Sequence, residues 1–330
     1  MKKLRIVFMG TPEFAVATLG SLLDNGYDVV SVVTAADKPS GRGRKTSRSP
    51  VSIFAGSHSL PVLQPENLKD PEFISALKKL EADVFIVVAF RMLPEAVWRI
   101  PPCGTINLHA SLLPHYRGAA PINHVLINGE TVTGVTTFLI DDNIDTGKIL
   151  LREEIPVDPS ENAGDLHDKL MKRGAALVLR TLAAISAGQI SPQPQSAFLM
   201  PGEIPRTAPK IFPENCIINW QNECHAIHNF IRGLSPSPGA RSFLKQDGET
   251  LSFKVFESRP EIAVHTLVPG SVISDRKNYI KIACKNGYVN IDSLQLAGRK
   301  RMNISEFLKG FRLADHPVAV TWQALPSSAR

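Results

Sequence analysis

Residues 104–118 read GTINLHASLLPHYRG, and they set a carboxamide, Asn107, two positions before an imidazole, His109. On an extended strand, residues i and i+2 point to the same side. One pocket can therefore receive both groups. A second polar cluster, DDNIDTG at 141–147, follows a run at 135–140 that reads as a buried strand. If Asp145 folds back onto His109, a single site holds an amide, an imidazole and a carboxylate. A carboxylate beside a histidine favours and orients the imidazolium. An imidazolium and a carboxamide are two hydrogen-bond donors that can be aimed at one developing oxyanion. The chain contains no G-x-S-x-G elbow for a serine nucleophile. The attacking atom is then expected to belong to a substrate, and the chemistry to be acyl transfer through a tetrahedral intermediate. An Asn-x-His pair alone also fits a satisfied polar turn, and the two readings part on whether Asp145 meets His109.

The surrounding elements must bring these groups together. Residues 4–9, LRIVFM, read as a strand ending at Gly10. Thr11 as cap, Pro12 in the first turn and Glu13 near the positive end open a helix that Asn25-Gly26 stops. A second strand at 27–34 completes a right-handed β-α-β opening. Its turn, GTPEFA, lacks the later glycines of G-x-G-x-x-G, so a Rossmann-like fold without a dinucleotide is expected. An extended piece at 60–63, a helix at 67–80 and an apolar strand at 83–90 follow. The turn at 91–94 leaves the C-terminal end of that strand, where open α/β sheets gather ligands. A helix at 165–186 closes this domain, assigned to residues 1–189.

Residues 190–209 hold Pro192, Pro194, Pro201, Pro205 and Pro209, which predicts an extended linker. The remainder, 210–330, opens with a helix over 222–232 that Pro236 and Pro238 end. It continues as short alternating runs punctuated by Asp-Gly and Asn-Gly turns. That pattern predicts a small OB-like antiparallel β-barrel. The fold class is thus α/β: a Rossmann-like parallel-sheet domain followed by an OB-like barrel.

The net charge of the 330 residues is +6. Residues 1–189 hold as many acidic as basic side chains, so the whole excess lies in the C-terminal part. A basic half suits a polyanionic partner such as nucleic acid. The four cysteines, Cys103, Cys216, Cys224 and Cys284, form no C-x-x-C pair. No metal is expected, and scattered thiols suit a reducing cytoplasm. No stretch approaches the ~18 apolar residues of a membrane span. The segment 37–50, DKPSGRGRKTSRSP, carries Lys38, Arg42, Arg44, Lys45 and Arg48, with no acid between Asp37 and Glu66. It reads as an exposed loop whose charges would meet phosphates.

Several of these stretches resemble the folate-dependent formyltransferases, in order along nearly the whole chain. They are RIVFMGTPEFA, DKPSGRGRK, INLHASLLPHYRGAAPI, DDNIDTGKIL and IRGLSPSPGA. The resemblance implies 10-formyltetrahydrofolate as formyl donor and an amine as acceptor. With the basic loop and basic second domain, it implies the α-amino group of methionine on initiator tRNA. It assigns Asn107, His109 and Asp145 to catalysis and the turn Ser111, Leu112, Leu113 and Pro114 to folate, with Val88, Phe90 and Asp141. It assigns Lys38, Arg42, Arg44 and Lys45 to tRNA, with Arg42 at the key position. His115 is expected at the rim, and the protein to be a monomer. Three positions depart from the family pattern: Phe90-Arg91 in place of the usual Tyr-Gly, Ile144 in place of Leu, and Ser237 in place of Trp. A small amine such as a nucleotide-linked amino sugar or glycinamide ribonucleotide is the alternative acceptor, disfavoured by the basic loop. An RNA-binding protein with an inactive formyltransferase fold is disfavoured by the intact Asn107, His109 and Asp145.

Overall fold

The apolar run RIVFMG has both faces buried and forms a central strand, β1 (Arg5–Gly10). This arrangement is typical of parallel sheets covered by helices. The computed structural model describes residues 3–40 and 45–321. After β1 come α1 (Glu13–Asp24), β2 (Asp28–Val33), β3 (Lys38–Ser40), β4 (Lys45–Ser47), α2 (Pro50–Ser57) and β5 (Val62–Leu63). Then follow α3 (Pro71–Lys79), β6 (Val84–Val88), α4 (Glu95–Trp98), β7 (Thr105–His109), α5 (Pro121–Ile127), β8 (Val132–Leu139), β9 (Ile149–Pro156) and α6 (Ala163–Ser186). The sheet order is β5-β2-β1-β6-β7-β8-β9. The strands from β5 to β7 are parallel, and β8 and β9 run antiparallel to their neighbours. Under the sheet, Val7, Met9, Phe73, Leu77, Phe85 and Val97 form one apolar core.

Several local expectations are corrected. Pro12, not Thr11, caps α1, without a side-chain hydrogen bond. Helix α2 was not foreseen: Ser49 caps it by accepting from Ser52 N at 3.0 Å, and Pro50 occupies its first turn. The helix expected at 67–80 begins only at Pro71, because Asp70 accepts from Glu72 N and caps it. The flanks of the basic stretch are not an irregular loop. Lys38–Ser40 and Lys45–Ser47 pair as an antiparallel ribbon, Lys38 opposite Ser47.

The second half contains α7 (Cys224–Leu234), β10 (Ala240–Gln246), β11 (Glu249–Ile262), β12 (Val272–Ser274), β13 (Ile280–Cys284), β14 (Gly287–Leu296), β15 (Met302–Asn303), α8 (Ile304–Gly310) and β16 (Val318–Val320). Its sheet runs β12-β13-β14-β11-β10-β16, antiparallel throughout, with β15 on β14. A bridge between Ser271 and Val318 brings its two edges together, giving a nearly closed barrel. Trp220, Ile231, Val255, Ile291 and Phe307 fill it.

Two compact units divide the chain. The first comprises 1–121, 132–156 and 167–208, and the second 122–131, 157–166 and 209–330. The residues expected as an extended linker belong to the first unit up to Ala208. Prolines exclude a regular helix there, yet they permit a 3-10 turn, Gln195–Phe198, and backbone hydrogen bonds from the flanking residues.

Candidate active site

Strand β7 does what period-two geometry requires. It lies between β6, which sets Val87 beside Asn107, and β8, which sets Phe138 beside Asn107 and Thr136 beside His109. Asn107 and His109 therefore share one face. Asn107 is half-buried and His109 is buried at 6% exposure.

The imidazole is held at Nε2 and faces a carboxylate at Nδ1. Nε2 lies 2.8 Å from the carbonyl oxygen of Tyr116. A carbonyl only accepts, so Nε2 carries a proton and donates. Nδ1 faces Asp145, with Oδ2 at 3.8 Å. That is within ion-pair reach and beyond a direct hydrogen bond. The same carboxylate oxygen accepts from Gly118 N at 3.0 Å. Asp145 thus folds back to within ion-pair reach of His109, the condition set for a single site.

The loop carrying Asp145 leaves β8 and turns through a left-handed conformation, φ +55° at Asp145 itself. Aspartate tolerates that region better than most side chains. Asp141 organises the turn: its Oδ1 accepts from Asn143 N at 3.1 Å and from Thr146 Oγ1 at 2.7 Å. Its carboxylate is committed to the loop's own shape. Gly147 is buried where the loop crosses β8, and a Cβ there would sit 1.7 Å from Leu139 O.

The turn after β7 is largely an internal structure. Ser111 is fully buried and its Oγ donates to His115 O at 2.7 Å. The peptide between Leu113 and Pro114 is cis. Leu113 is fully buried against Phe138 and Ile149. Of the four side chains assigned to folate in this turn, only Leu112 is even half-exposed. Thr136, fully buried across from His109, holds the turn: it donates to Ser111 O at 2.7 Å and accepts from Leu113 N at 3.2 Å. Val88 is fully buried in β6, and Phe90 packs on the core beneath the sheet. Arg91 lies over the Phe90 ring and donates to the carbonyls of Pro65 and Glu66. At this end of β6 a groove of about 780 Å³ is lined by Arg91, Met92, Leu93, Pro94 and Trp98.

Residues 195–208 strap the outer side of this site. His115 bonds Glu203 Oε1 at 3.1 Å through Nε2, and its Nδ1 accepts from Arg206 N at 3.3 Å. Tyr116 N donates to Arg206 O at 2.6 Å, and Ala208 N to Arg117 O at 2.8 Å. Gly118, φ +122°, passes so close that a Cβ would meet Ala208 O at 2.4 Å. Gln195 reaches both Arg117 and the Asp145 loop. Sequence reasoning missed Gln195, which sits in a proline-rich stretch with no periodic signal. It also missed Thr136, which it absorbed into an apolar run. Arg42 and Arg44 lie outside the described residues. Lys38 and Lys45 stand on the paired strands, with their side chains outside the described set.

Residues 4–182 match the formyl transferase family and residues 210–312 match its C-terminal domain. The chain belongs to the formyltransferases. It is 52% identical over 318 residues to the methionyl-tRNA formyltransferase of Bacteroides fragilis, covering 96% of this chain and 98% of that one. It is 52% identical over 315 residues to that of Flavobacterium johnsoniae, covering 96% and 98%. An N-formyltransferase from Helicobacter canadensis, solved with folinic acid and dTDP-3-aminofucose, shares the fold at a TM-score of 0.62. It is 19% identical, covering 92% of this chain and all of that one. This formyltransferase uses a folate as formyl donor. No helix among its described residues is long and apolar enough to cross a membrane.

Proposed function

We propose that this formyltransferase moves the formyl group of 10-formyltetrahydrofolate to the α-amino group of methionine esterified to initiator tRNA. The observation that carries the reading is the orientation of His109. Its Nε2 proton is spent on Tyr116 O, and its Nδ1 edge is turned toward Asp145 on the face it shares with Asn107. The folate here is the second substrate, released after each turnover.

The amine attacks the formyl carbon, a carbon–nitrogen bond forms, and negative charge gathers on the formyl oxygen. The Asn107 carboxamide and the Nδ1–H of a protonated His109 donate to that oxygen. Asp145 stabilises the imidazolium across 3.8 Å and takes, through a water, the proton shed by the amine. Breakdown cleaves the bond to N10, which receives a proton in return. The half-exposed Leu112 and the backbone of 111–114 border the folate, beside the groove at the end of β6. In this reading Asp141 and Val88 shape the folate site without touching it, and Phe90 forms its floor. Lys38, Arg42, Arg44 and Lys45 contact the acceptor stem. The surplus positive charge of residues 190–330 contacts the phosphates, which position without specifying sequence. The enzyme works as a monomer in the cytoplasm. A 52%-identical relative of that name over nearly the full length supports the tRNA acceptor over a free amino sugar.

Incubation with 10-formyltetrahydrofolate and charged initiator tRNA should yield formylmethionine. Asn107→Ala and His109→Ala should each lower kcat by about 10²–10³ and leave tRNA binding intact. Near-wild-type turnover in both variants would sink the assignment.

A further inference from the structure

We infer that Gln195 is a positioning residue of the active site. Its side chain couples the backbone that holds His109 to the loop that carries Asp145. The inference rests on the catalytic roles proposed above and adds a residue that they do not include.

Gln195 is 5% exposed, a polar side chain buried among polar partners. Its Oε1 accepts from Arg117 Nε at 2.9 Å and Nη2 at 2.6 Å. Its Nε2 donates to Asp145 O at 2.8 Å and Gly147 O at 2.9 Å. The orientation of this amide is fixed by chemistry. Arginine can only donate and carbonyls can only accept, so a flipped amide would lose all four bonds. No other natural side chain of this length offers an acceptor to a guanidinium and two donors to neighbouring carbonyls.

The two sides that Gln195 joins are the two sides of the catalytic pair. Arg117 follows Tyr116, whose carbonyl holds Nε2 of His109, and precedes Gly118, whose N–H holds Asp145 Oδ2. The carbonyls it grips flank Thr146 and belong to the same loop as the carboxylate. Asp145 sits there at φ +55°, a conformation that its surroundings must enforce. Gln195 thus fixes the backbone on either side of the 3.8 Å gap between Nδ1 and Oδ2 without touching either group. Misplacement on the order of 1 Å at a reacting centre can cost about 10² in rate. A remote residue that sets this gap therefore acts on kcat more than on substrate binding.

Substitutions separate the two arms. Gln195→Ala removes both. Gln195→Glu keeps an acceptor for Arg117 but sets a carboxylate oxygen against the carbonyls of Asp145 and Gly147. Steady-state formylation of charged initiator tRNA is measured for each, alone and combined with Asp145→Asn, beside thermal melts. We expect kcat to fall by about 10- to 100-fold in both single variants, with the KM for tRNA and for folate within about twofold of wild type. In the Asp145→Asn background the Gln195 substitution should cost little more, because both changes disable one unit. If Asp145→Asn alone is fully active, the catalytic reading fails. If Asp145→Asn is impaired but both Gln195 variants keep wild-type kcat, the coupling fails by itself. A fully multiplicative loss in the double variants also overturns it, since a general loosening of the fold would act independently of Asp145. Should Gln195→Ala not fold, the isosteric Gln195→Glu with its Asp145→Asn partner decides the matter alone.

Discussion

The two halves of the active site are held in different ways. Asn107 and His109 lie on a strand inside a seven-stranded sheet, with backbone ladders on both sides. Their spacing and facing follow from the pleat, and many sequences with the same pattern would reproduce them. Asp145 lies on a loop with no ladder. It is held by Gly118 N, by the Asp141 turn and by a glutamine fifty residues away. The strand half is positioned by secondary structure, and the loop half by particular polar side chains and two glycines. The loop half is therefore the side on which substitutions can change catalysis while leaving the sheet alone.

The most damaging small change should fall on that loop. In Gly147→Ala the new methyl meets Leu139 O at 1.7 Å, and this backbone neighbour is bound in β8. The loop must give way, carrying Asp145 with it. We expect kcat to drop by about 10², a stability loss of roughly 1–3 kcal/mol, and an unchanged far-ultraviolet circular dichroism spectrum. Activity within a few-fold of wild type would mean that Asp145 tolerates displacement and that the contrast between the halves is false.

Thr136→Val tests the strand half through the hydroxyl that holds the turn following it. The hydroxyl serves Ser111 O and Leu113 N, and an isosteric methyl leaves both unsatisfied. Each buried orphan costs roughly 1–3 kcal/mol. The melting temperature should fall and the KM for folate rise, with kcat changed less than in Gly147→Ala. The reverse ordering would show that the turn, not the loop, governs the chemical step.

This difference between the halves also explains what the sequence disclosed. Asn107 and His109 were legible because a two-residue period is a local property. The Asp145 loop was legible as a polar cluster, and its meeting with His109 followed only as a condition. Gln195 was not legible: it acts across 78 positions to Arg117 and 50 to Asp145, from a stretch whose prolines suggested a mere connector. Packing likewise decides that the proline-rich segment up to Ala208 belongs with the first unit. Helix α2 hid behind a basic stretch whose composition argued for a loop. The folate turn was recognised by its letters, yet Ser111 and Leu113 serve the fold's interior, a distinction only burial reveals.

A control lies outside both halves, in the second unit. Burial, and after it the charge of Arg232, holds His228 below the usual histidine range. The unfolded chain then binds a proton that the folded chain refuses as pH falls below about 6.5. Folded stability should decline from neutral pH toward mildly acidic pH. His228→Gln should flatten that slope in thermal melts and leave kcat at neutral pH unchanged. A slope that survives the substitution would place the acid sensitivity elsewhere, including at the site.

The smallest effect is expected at Glu203, where the strap meets His115. Both side chains are partly exposed, at 26% and 36%, and such pairs contribute about 0–1 kcal/mol. In Glu203→Gln one oxygen still serves Met200 N, as Glu203 Oε2 does now. His115 keeps the N–H of Arg206, and the backbone bonds from Tyr116 and Ala208 are untouched. The strap should stay closed, with kcat within about twofold and the melting temperature nearly constant. A tenfold loss of kcat would move His115 from the rim into the catalytic machinery. The strap would then act through its charges, on the side of His109, as well as through Gln195.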